Sequence, residues 1–529
     1  MSNPPPAHVA LIGCGFTGTS ALLQLIDKAP VRRITVFEAS GDFGPGYAWR
    51  TDDCADYLIN NTTDSMCLLP GNRQAFIQWL RSGGESVDPQ GHLPRRRFGE
   101  FLSDAVRAAR VLAAAKGIEL TLVPAEVTAL SEPPTGGVLL RWPAGEVRAD
   151  VAILTTGRCP DRPWIEPPPP GSSAICVPNH IRNDTLDGLP ASATVHVLGA
   201  SLSAYDVVNR LFSPTTGCRF VRDAAGELQF DPGPNQRHVV LCSRSGRLKK
   251  MQSQQRMALQ RSVLSEATLA RQAALGTVTL EALVGWIDDE ARRHGVQLDW
   301  PALRDPYAGC ASADAVNARA AEQLALDIRA AREGRNFLVD LGADAQVLLW
   351  DAFAARYLGA AEEQRYRDHA ETAVRTVTAP CPVPTAERLL ALHRAGRLVL
   401  RHGVRAPRWS ATDEAWLLDC AFNTERARVL VDCTGAVDRR VDSPGQGPLL
   451  QSLCAQGLLR PYRLGDAPSL GADVDLHTLR AAGSRHLYVM SMLLWGPGFF
   501  TSSAFMMAHL VRQLLDRLYP HESPRPPSG

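Results

Sequence analysis

The sequence predicts an α/β protein made of two doubly wound, parallel-sheet units with a helical insertion. Three observations carry this reading. A strand-like run, Ala7 to Ile12, is followed by a helical run, Thr17 to Lys28, and a second strand, Arg33 to Glu38; strands alternating with helices imply parallel pairing. The same order returns at Thr194 to Leu198, Ala204 to Phe212 and His238 to Cys242. Between Arg244 and Thr378 the apolar periodicity is helical, as in Leu264 to Leu275, Ala313 to Arg332 and Ala343 to Leu358, with few strand signals.

Composition sets the outer bounds. A chain of 529 residues, 45% of them hydrophobic, is too long for one core and apolar enough for two or three. Its 56 basic and 55 acidic residues leave a net charge of +1, which gives no field to gather nucleic acid or an anionic membrane. Small molecules are the expected partners. The apolar run Val9 to Cys14 is broken by Gly13 and Gly15 and follows no basic segment, so it reads as a buried strand rather than a signal peptide. No run approaches the roughly 18 apolar residues that span a bilayer. The 12 cysteines form no CxxC pair, which argues against a zinc site and against a secreted disulfide framework. A cytoplasmic protein with no metal is expected.

The first strand runs into Gly13-Cys-Gly15-Phe-Thr-Gly18, a GxGxxG placed directly before a helix. Gly13 permits the tight turn, Gly15 lets backbone approach a pyrophosphate, and Gly18 lets helix and strand pack closely. The helix N-terminus offers free N–H groups to the phosphates. Glu38, ending the second strand, suits a ribose diol and repels a 2′-phosphate. The return Asp150-Val-Ala-Ile-Leu154-Thr-Thr156-Gly157 has the strand-to-glycine form that closes FAD domains, so FAD is assigned to this first Rossmann-like unit.

The second loop, Gly199-Ala-Ser201-Leu-Ser203-Ala204, is a degenerate version in which small residues replace two glycines. After the following strand come Ser243, Arg244 and Arg247, with no acid where NAD would need one; arginine and serine there suit the 2′-phosphate of NADPH. A third return, Ala427 to Asp432 with Thr434 and Gly435, repeats the Asp-strand-Thr-Gly design and suggests that late sequence rejoins the FAD domain. The expected organisation is an FAD-binding first part at 1–165, an NADPH-binding first part at 171–250, a helical insertion at 251–377, a return at 378–426, an FAD-domain C-terminal part at 427–520 and a disordered tail at 521–529. The proline run Glu166 to Pro170 marks the crossing between units. Lys249, Lys250, Arg256 and Arg261 read as a solvated helix face that could also pair with a substrate carboxylate.

The order of motifs resembles the two-dinucleotide flavoproteins, and among them a bacterial FAD-NAD(P)-binding family that includes flavin-dependent N-monooxygenases of the nitrosuccinate-forming type. The resemblance rests on Phe43-Gly44-Pro-Gly46-Tyr47-Ala48-Trp49, on Leu58-Ile59-Asn60 with Met66, on Phe76, Trp79 and Leu80, and above all on Pro94-Arg95-Arg-Arg-Phe98-Gly99-Glu-Phe101-Leu102. Pro382 to Leu390, His393 to Leu398 and Leu487 to Gly496 match its later segments, with Ser491 where glycine is usual. Coverage is roughly residues 7–250 and 378–515. The FxGxxxH element of Baeyer–Villiger and flavin-containing monooxygenases is spoiled before His180, where Ala174, Cys176 and Asp184 replace its key positions. Asp150-x3-Leu154-Thr-Thr156-Gly157 is similar to the corresponding element of siderophore-type amine hydroxylases.

The resemblance implies an FAD- and NADPH-dependent enzyme in which a C4a-hydroperoxyflavin, formed with O2, oxidises the nitrogen of a small amine or amino acid. It implies that Trp49, Asn60 and Met66 line the flavin ring and that Val127, Met490 and Gly496 complete the FAD-binding set. Two alternatives stay open: a flavin-dependent NAD(P)H oxidoreductase without oxygen insertion, and a flavin-binding protein that has lost turnover.

Overall fold

The computed structural model describes residues 4–28, 30–181, 184–499, 501 and 503–520. Its larger sheet has seven strands in the order Val474–Asp475, Arg480–Ala481, Leu487–Val489, Val151–Leu154, His8–Ile12, Arg33–Phe37 and Glu119–Val123. The last five pair in parallel, with Val9 opposite both Ile34 and Val151. Val9, Ala10 and Leu11 are wholly buried, as a parallel strand covered on both faces requires. The helix Phe16–Ile26 packs against Arg95–Ala115 and Ala504–Leu518.

The second sheet has five parallel strands in the order Leu398–Arg401, His238–Cys242, Thr194–Leu198, Val429–Asp432 and Ile175–Val177. Each unit also carries a three-stranded antiparallel meander immediately before its returning strand. These are Ala129–Ser131, Val138–Trp142 and Gly145–Ala149 in the first, and Arg408–Ser410, Ala415–Asp419 and Thr424–Ala427 in the second. The chain therefore uses one design twice.

This duplication corrects the expected boundaries. The strand Val429–Asp432 pairs Val429 with Val195 and with Ile175, so the return ending at Thr434 and Gly435 closes the second unit and not the FAD domain. The Asp-strand-Thr-Gly pattern is common to both units, and only the pairing partner distinguishes them. The first core is rejoined later, by Val441, Leu449 and Leu453.

Among the described residues no strand occurs between Cys242 and Leu398. The helix Ala313–Arg332 is nevertheless part of the second unit, because Val316, Ala320, Leu324 and Ile328 pack into its core with Leu389. Leu269, Ala291, Phe337 and Leu348 form a separate core for other insertion helices. The helix expected over Ala343 to Leu358 is broken at Ala345 into Phe337–Asp344 and Gln346–Ala354. At the proline crossing, Trp416 Nε1 donates to the Glu166 carbonyl at 2.9 Å. The tail at 521–529 lies outside the described residues, as does Phe500. Among the described residues no helix is long and apolar enough to cross a membrane, and no group of three metal-ligating side chains converges.

Candidate functional site

The three glycines of the first loop are needed for different reasons. Gly13 has φ +102°, and a Cβ there would lie 2.5 Å from the Thr155 carbonyl oxygen; at Gly18 it would lie 2.2 Å from the Gly13 oxygen. Both are forced by protein packing. A Cβ on Gly15 would meet only the Gly46 Cα, at 3.3 Å, so the fold itself nearly tolerates a side chain there. The helix Phe16–Ile26 begins with no side-chain cap, which leaves its first-turn N–H groups available to an anion. Glu38 is fixed over the turn, accepting from Cys14 N at 2.9 Å and from Ser40 N and Oγ at 3.1 and 2.8 Å. A cavity of about 250 Å³ brings Gly13, Glu38, Val127, Thr156 and Gly157 together with Gln446. An uncapped helix, a bare glycine and a carboxylate beside one cavity fit the pyrophosphate and ribose of FAD. Burial pushes the Cys14 thiol up to about 12, so this loop carries no reactive thiolate.

The second loop repeats two backbone bonds of the first. Gly199 has φ +114°, and a Cβ there would lie 2.8 Å from the Cys433 oxygen. Gly199 N donates to Cys242 O at 2.7 Å where Gly13 N donates to Phe37 O at 2.8 Å; Cys433 N donates to Leu198 O where Thr155 N donates to Ile12 O. Ser201 and Ser203 open a helix, Leu202–Leu211, that has no side-chain cap either, and Ala204 is wholly buried where only a small residue fits. Thr434 Oγ1 is held by Asp432 Oδ1 at 2.6 Å beside exposed Gly435. Ser243 Oγ accepts from Gly246 N at 2.8 Å, and Arg244 is exposed. Arg247 departs from expectation: its guanidinium donates to the carbonyls of Leu303 and Arg304 and so ties the loop to the insertion.

The residues expected to line the flavin are mostly packing residues. Met66 is 2% exposed within the first core, and Trp49 packs edge-on against Phe98 at 5.0 Å between ring centres. Asn60 is half-buried. Met490 is wholly buried and donates N–H to Leu154 O at 2.8 Å. At Gly496 a Cβ would lie 1.6 Å from the Leu470 oxygen, so this glycine admits protein backbone rather than a ring. The segment does reach the cavity, since Leu493 lines it and Met492 N donates to Gly157 O at 3.2 Å. Lys249, Lys250, Arg256 and Arg261 do not lie on a helix. Lys249 Nζ donates to Arg375 O at 2.6 Å, Lys250 pairs with Asp327 and Arg261 with Asp344, while Arg256 is exposed and in no ion pair among the described residues. A larger hollow of about 440 Å³ near Arg332, Glu387 and Arg394 is lined by ion-paired residues and by no glycine-loop residue.

Two features had no local signal in the sequence. Arg95 and Asp206 join the two units, with His180 Nε2 3.9 Å from Asp206 Oδ2. Trp495 stacks between Arg375 and Arg439.

Residues 10–159 match the FAD-NAD(P)-binding family. Over its whole length the chain aligns with the ornithine N-hydroxylase of Kutzneria sp. 744, solved with reduced FAD, NADP+ and L-ornithine: TM-score 0.54, 15% identity, covering 98% of this chain and all of that one. It aligns equally with the FAD-bound cadaverine monooxygenase of Erwinia amylovora, at TM-score 0.56 and 12% identity, covering 98% and 95% of the two chains. Its fold is that of the two-dinucleotide flavin monooxygenases. In sequence it is similar to the nitrosuccinic acid synthase of Aspergillus oryzae, 25% identical over 274 residues. That match spans 46% of this chain and 41% of the relative, less than half of either. The two matching glycine loops sit one in each unit, and the helical insertion is carried between the strands of the second.

Proposed function

We propose that the chain is an FAD- and NADPH-dependent monooxygenase that oxidises the nitrogen of a small amine or amino acid. The observation that carries this is the pair of matching loops at Gly13 and Gly199, set in a fold otherwise shared with N-hydroxylating flavoenzymes. FAD belongs at the first loop, where the family match lies and where Glu38 favours an unphosphorylated ribose. NADPH belongs at the second, where Arg244 is exposed and no acid follows Cys242.

In this reading Gly15 admits the pyrophosphate and the first turn of Phe16–Ile26 neutralises it. Ser201 and Ser203 do the same at the second loop. Bound flavin, reduced by the nicotinamide, supplies the oxygen activation. The protein's own part is to position the amine and to exclude water, for which buried Val127, Leu449 and Leu493, lining the cavity with Gly157, provide an apolar wall. A thiol-based reductase is disfavoured because Cys14 is buried and holds its proton.

The test is NADPH oxidation and oxygen uptake by the flavin-loaded protein with a panel of amino acids, amines, ketones and thiols, followed by mass spectrometry. Hydroxylamine, oxime or nitro products from an amine are expected. Hydrogen peroxide alone with every amine, together with oxygen transfer to a ketone or thiol, overturns the proposal.

A further inference from the structure

The insertion springs from the second unit yet docks on the first. Its helix Gln346–Ala354 sends Trp350 and Ala354 into the first unit's core. Trp350 fits there because position 498 is glycine: a Cβ on Gly498 would lie 2.6 Å from the edge of the indole. On the same helix Phe353 stacks on Phe499, with ring centres 5.2 Å apart and planes 10° from parallel. The insertion thus covers the short segment that follows the strand Leu487–Val489.

That segment also faces the FAD cavity. Met492–Leu494 form a single 3-10 turn, in which Met492 N donates to Gly157 O at 3.2 Å and Leu493 lines the cavity together with Gly13, Glu38 and Gly157. Trp495 N donates to Met492 O at 3.0 Å and Gly496 N to Leu494 O at 3.1 Å, so cavity-lining Leu493 and the Gly496 carbonyl belong to one hydrogen-bonded piece.

Arg367 of the insertion holds that carbonyl. Its Nη2 donates to Gly496 O and, at 2.5 Å, to Glu363 Oε1, and the two side chains are only 13% and 4% exposed. Glu363 accepts in turn from the Tyr462 hydroxyl at 2.8 Å, which fixes the carboxylate that orients the guanidinium. Arg367 Nε is buried with no hydrogen-bond partner among the described residues, a cost that an apolar contact at this place would not carry. Arg367 also lies in a single π-helical turn, Tyr366–Ala370, set between the helices Ala360–Arg365 and Glu371–Thr378. Such turns are rare and concentrate at functional sites. Arg367 does not itself line the cavity, so its effect on the cofactor passes through the turn.

We propose that Arg367 is a positioning residue for FAD: reaching out of the insertion, it holds the Gly496 carbonyl and with it the turn that carries Leu493, so that docking of the insertion sets how tightly and in what surroundings the flavin is held. This rests on FAD at the first loop and not on the oxidation of an amine. Without the bond the turn is in place in only a fraction of the molecules, and flavin affinity falls by that fraction. The coupling is reciprocal, so bound FAD steadies the insertion.

The test uses the FAD-loaded protein and needs no turnover. Loss of FAD on dilution is followed by flavin fluorescence, and the visible absorption of the flavin that stays bound is recorded. Arg367→Met should hold FAD about tenfold more weakly, the lower end of the range for a charge-assisted hydrogen bond, and should shift the absorption band. Arg365→Met, on the same stretch of chain, breaks an exposed pair with Glu281 and should change neither reading. In the unaltered protein, hydrogen exchange at residues 360–371 should slow when FAD is bound; this measurement needs no variant and decides the matter if Arg367→Met misfolds. An Arg367→Met protein that melts earlier yet keeps wild-type flavin retention and spectrum overturns the proposal, as does exchange in the insertion that is the same with and without FAD. Neither reading involves an amine, so a failure here leaves the proposed N-oxidation standing, and a lack of N-oxidation leaves the positioning role standing.

Discussion

Arg95 and Asp206, which lie in different units, share two hydrogen bonds, Nη1 to Oδ2 at 2.7 Å and Nη2 to Oδ1 at 3.1 Å. Their side chains are only 13% and 8% exposed. Arg95 opens the helix Arg95–Ala115 of the first unit, and its Nε also donates to Leu58 O at 3.0 Å. Asp206 sits on the helix that follows the second glycine loop. The bond thus fixes one unit, at the helix after the second glycine loop, against the other. Asp206→Asn leaves a nearly buried guanidinium without its counter-ion and should destabilise the protein by about 3 kcal/mol in chemical denaturation. The double change Arg95→Met with Asp206→Leu should recover much of that loss. A single change costing under about 1 kcal/mol, as an exposed pair would, contradicts this view.

The glycines of the first loop separate folding from binding. Gly15→Ala places its Cβ 3.3 Å from the Gly46 Cα, whereas Gly18→Ala places it 2.2 Å from a carbonyl oxygen. The first should fold with a near-normal melting temperature and lose most of its flavin; the second should be poorly folded. Full flavin occupancy in Gly15→Ala shows that no pyrophosphate approaches there.

Both loops were legible in the sequence because each is a contiguous strand, turn and helix. Where their returns belong was only half legible. Thr155 and Cys433 end strands with the same Asp-strand-Thr-Gly pattern, and the sheet that Val429 joins is decided by pairing with Val195, more than two hundred residues earlier. Arg247 illustrates the same limit. A basic residue after a strand suits a phosphate by local rules, but the carbonyls of Leu303 and Arg304 that occupy it come from an insertion with no motif. Likewise Met66 and Met490 were read as flavin contacts from their neighbours in sequence, while packing put them in the core.

The two arginines after Cys242 should therefore behave differently. Arg244 is exposed, and Arg244→Ala should weaken NADPH by about tenfold to a hundredfold with little effect on NADH. Arg247→Ala should leave the cofactor preference unchanged and instead lower the melting temperature. Steady-state kinetics with both nicotinamides distinguishes them, and an unchanged preference in Arg244→Ala removes the assignment of the 2′-phosphate.

Lys249 gives a pH signature. Burial lowers its amine from 10.5 to about 7, and its Nζ donates to the Arg375 carbonyl. Between those values the unfolded chain holds a proton that the folded chain has released, so stability rises with pH across this window, and the cost of the buried ammonium is complete below it. Lys249→Met removes the titration. Relative to the variant, the wild type should gain stability as pH rises from about 7 towards 10.5. A constant difference between the two melting curves over that range contradicts the burial of a titrating amine.

The central claim is that an oxygen atom from O2 ends on nitrogen. The most direct measurement incubates the flavin-loaded protein with NADPH, ¹⁸O2 and an amino-acid panel that includes dicarboxylic members, and follows the label by mass spectrometry. The account predicts an N-oxidised amino acid carrying ¹⁸O, with NADPH consumed in proportion. Label found only in hydrogen peroxide, or on carbon or sulfur of another substrate, contradicts it.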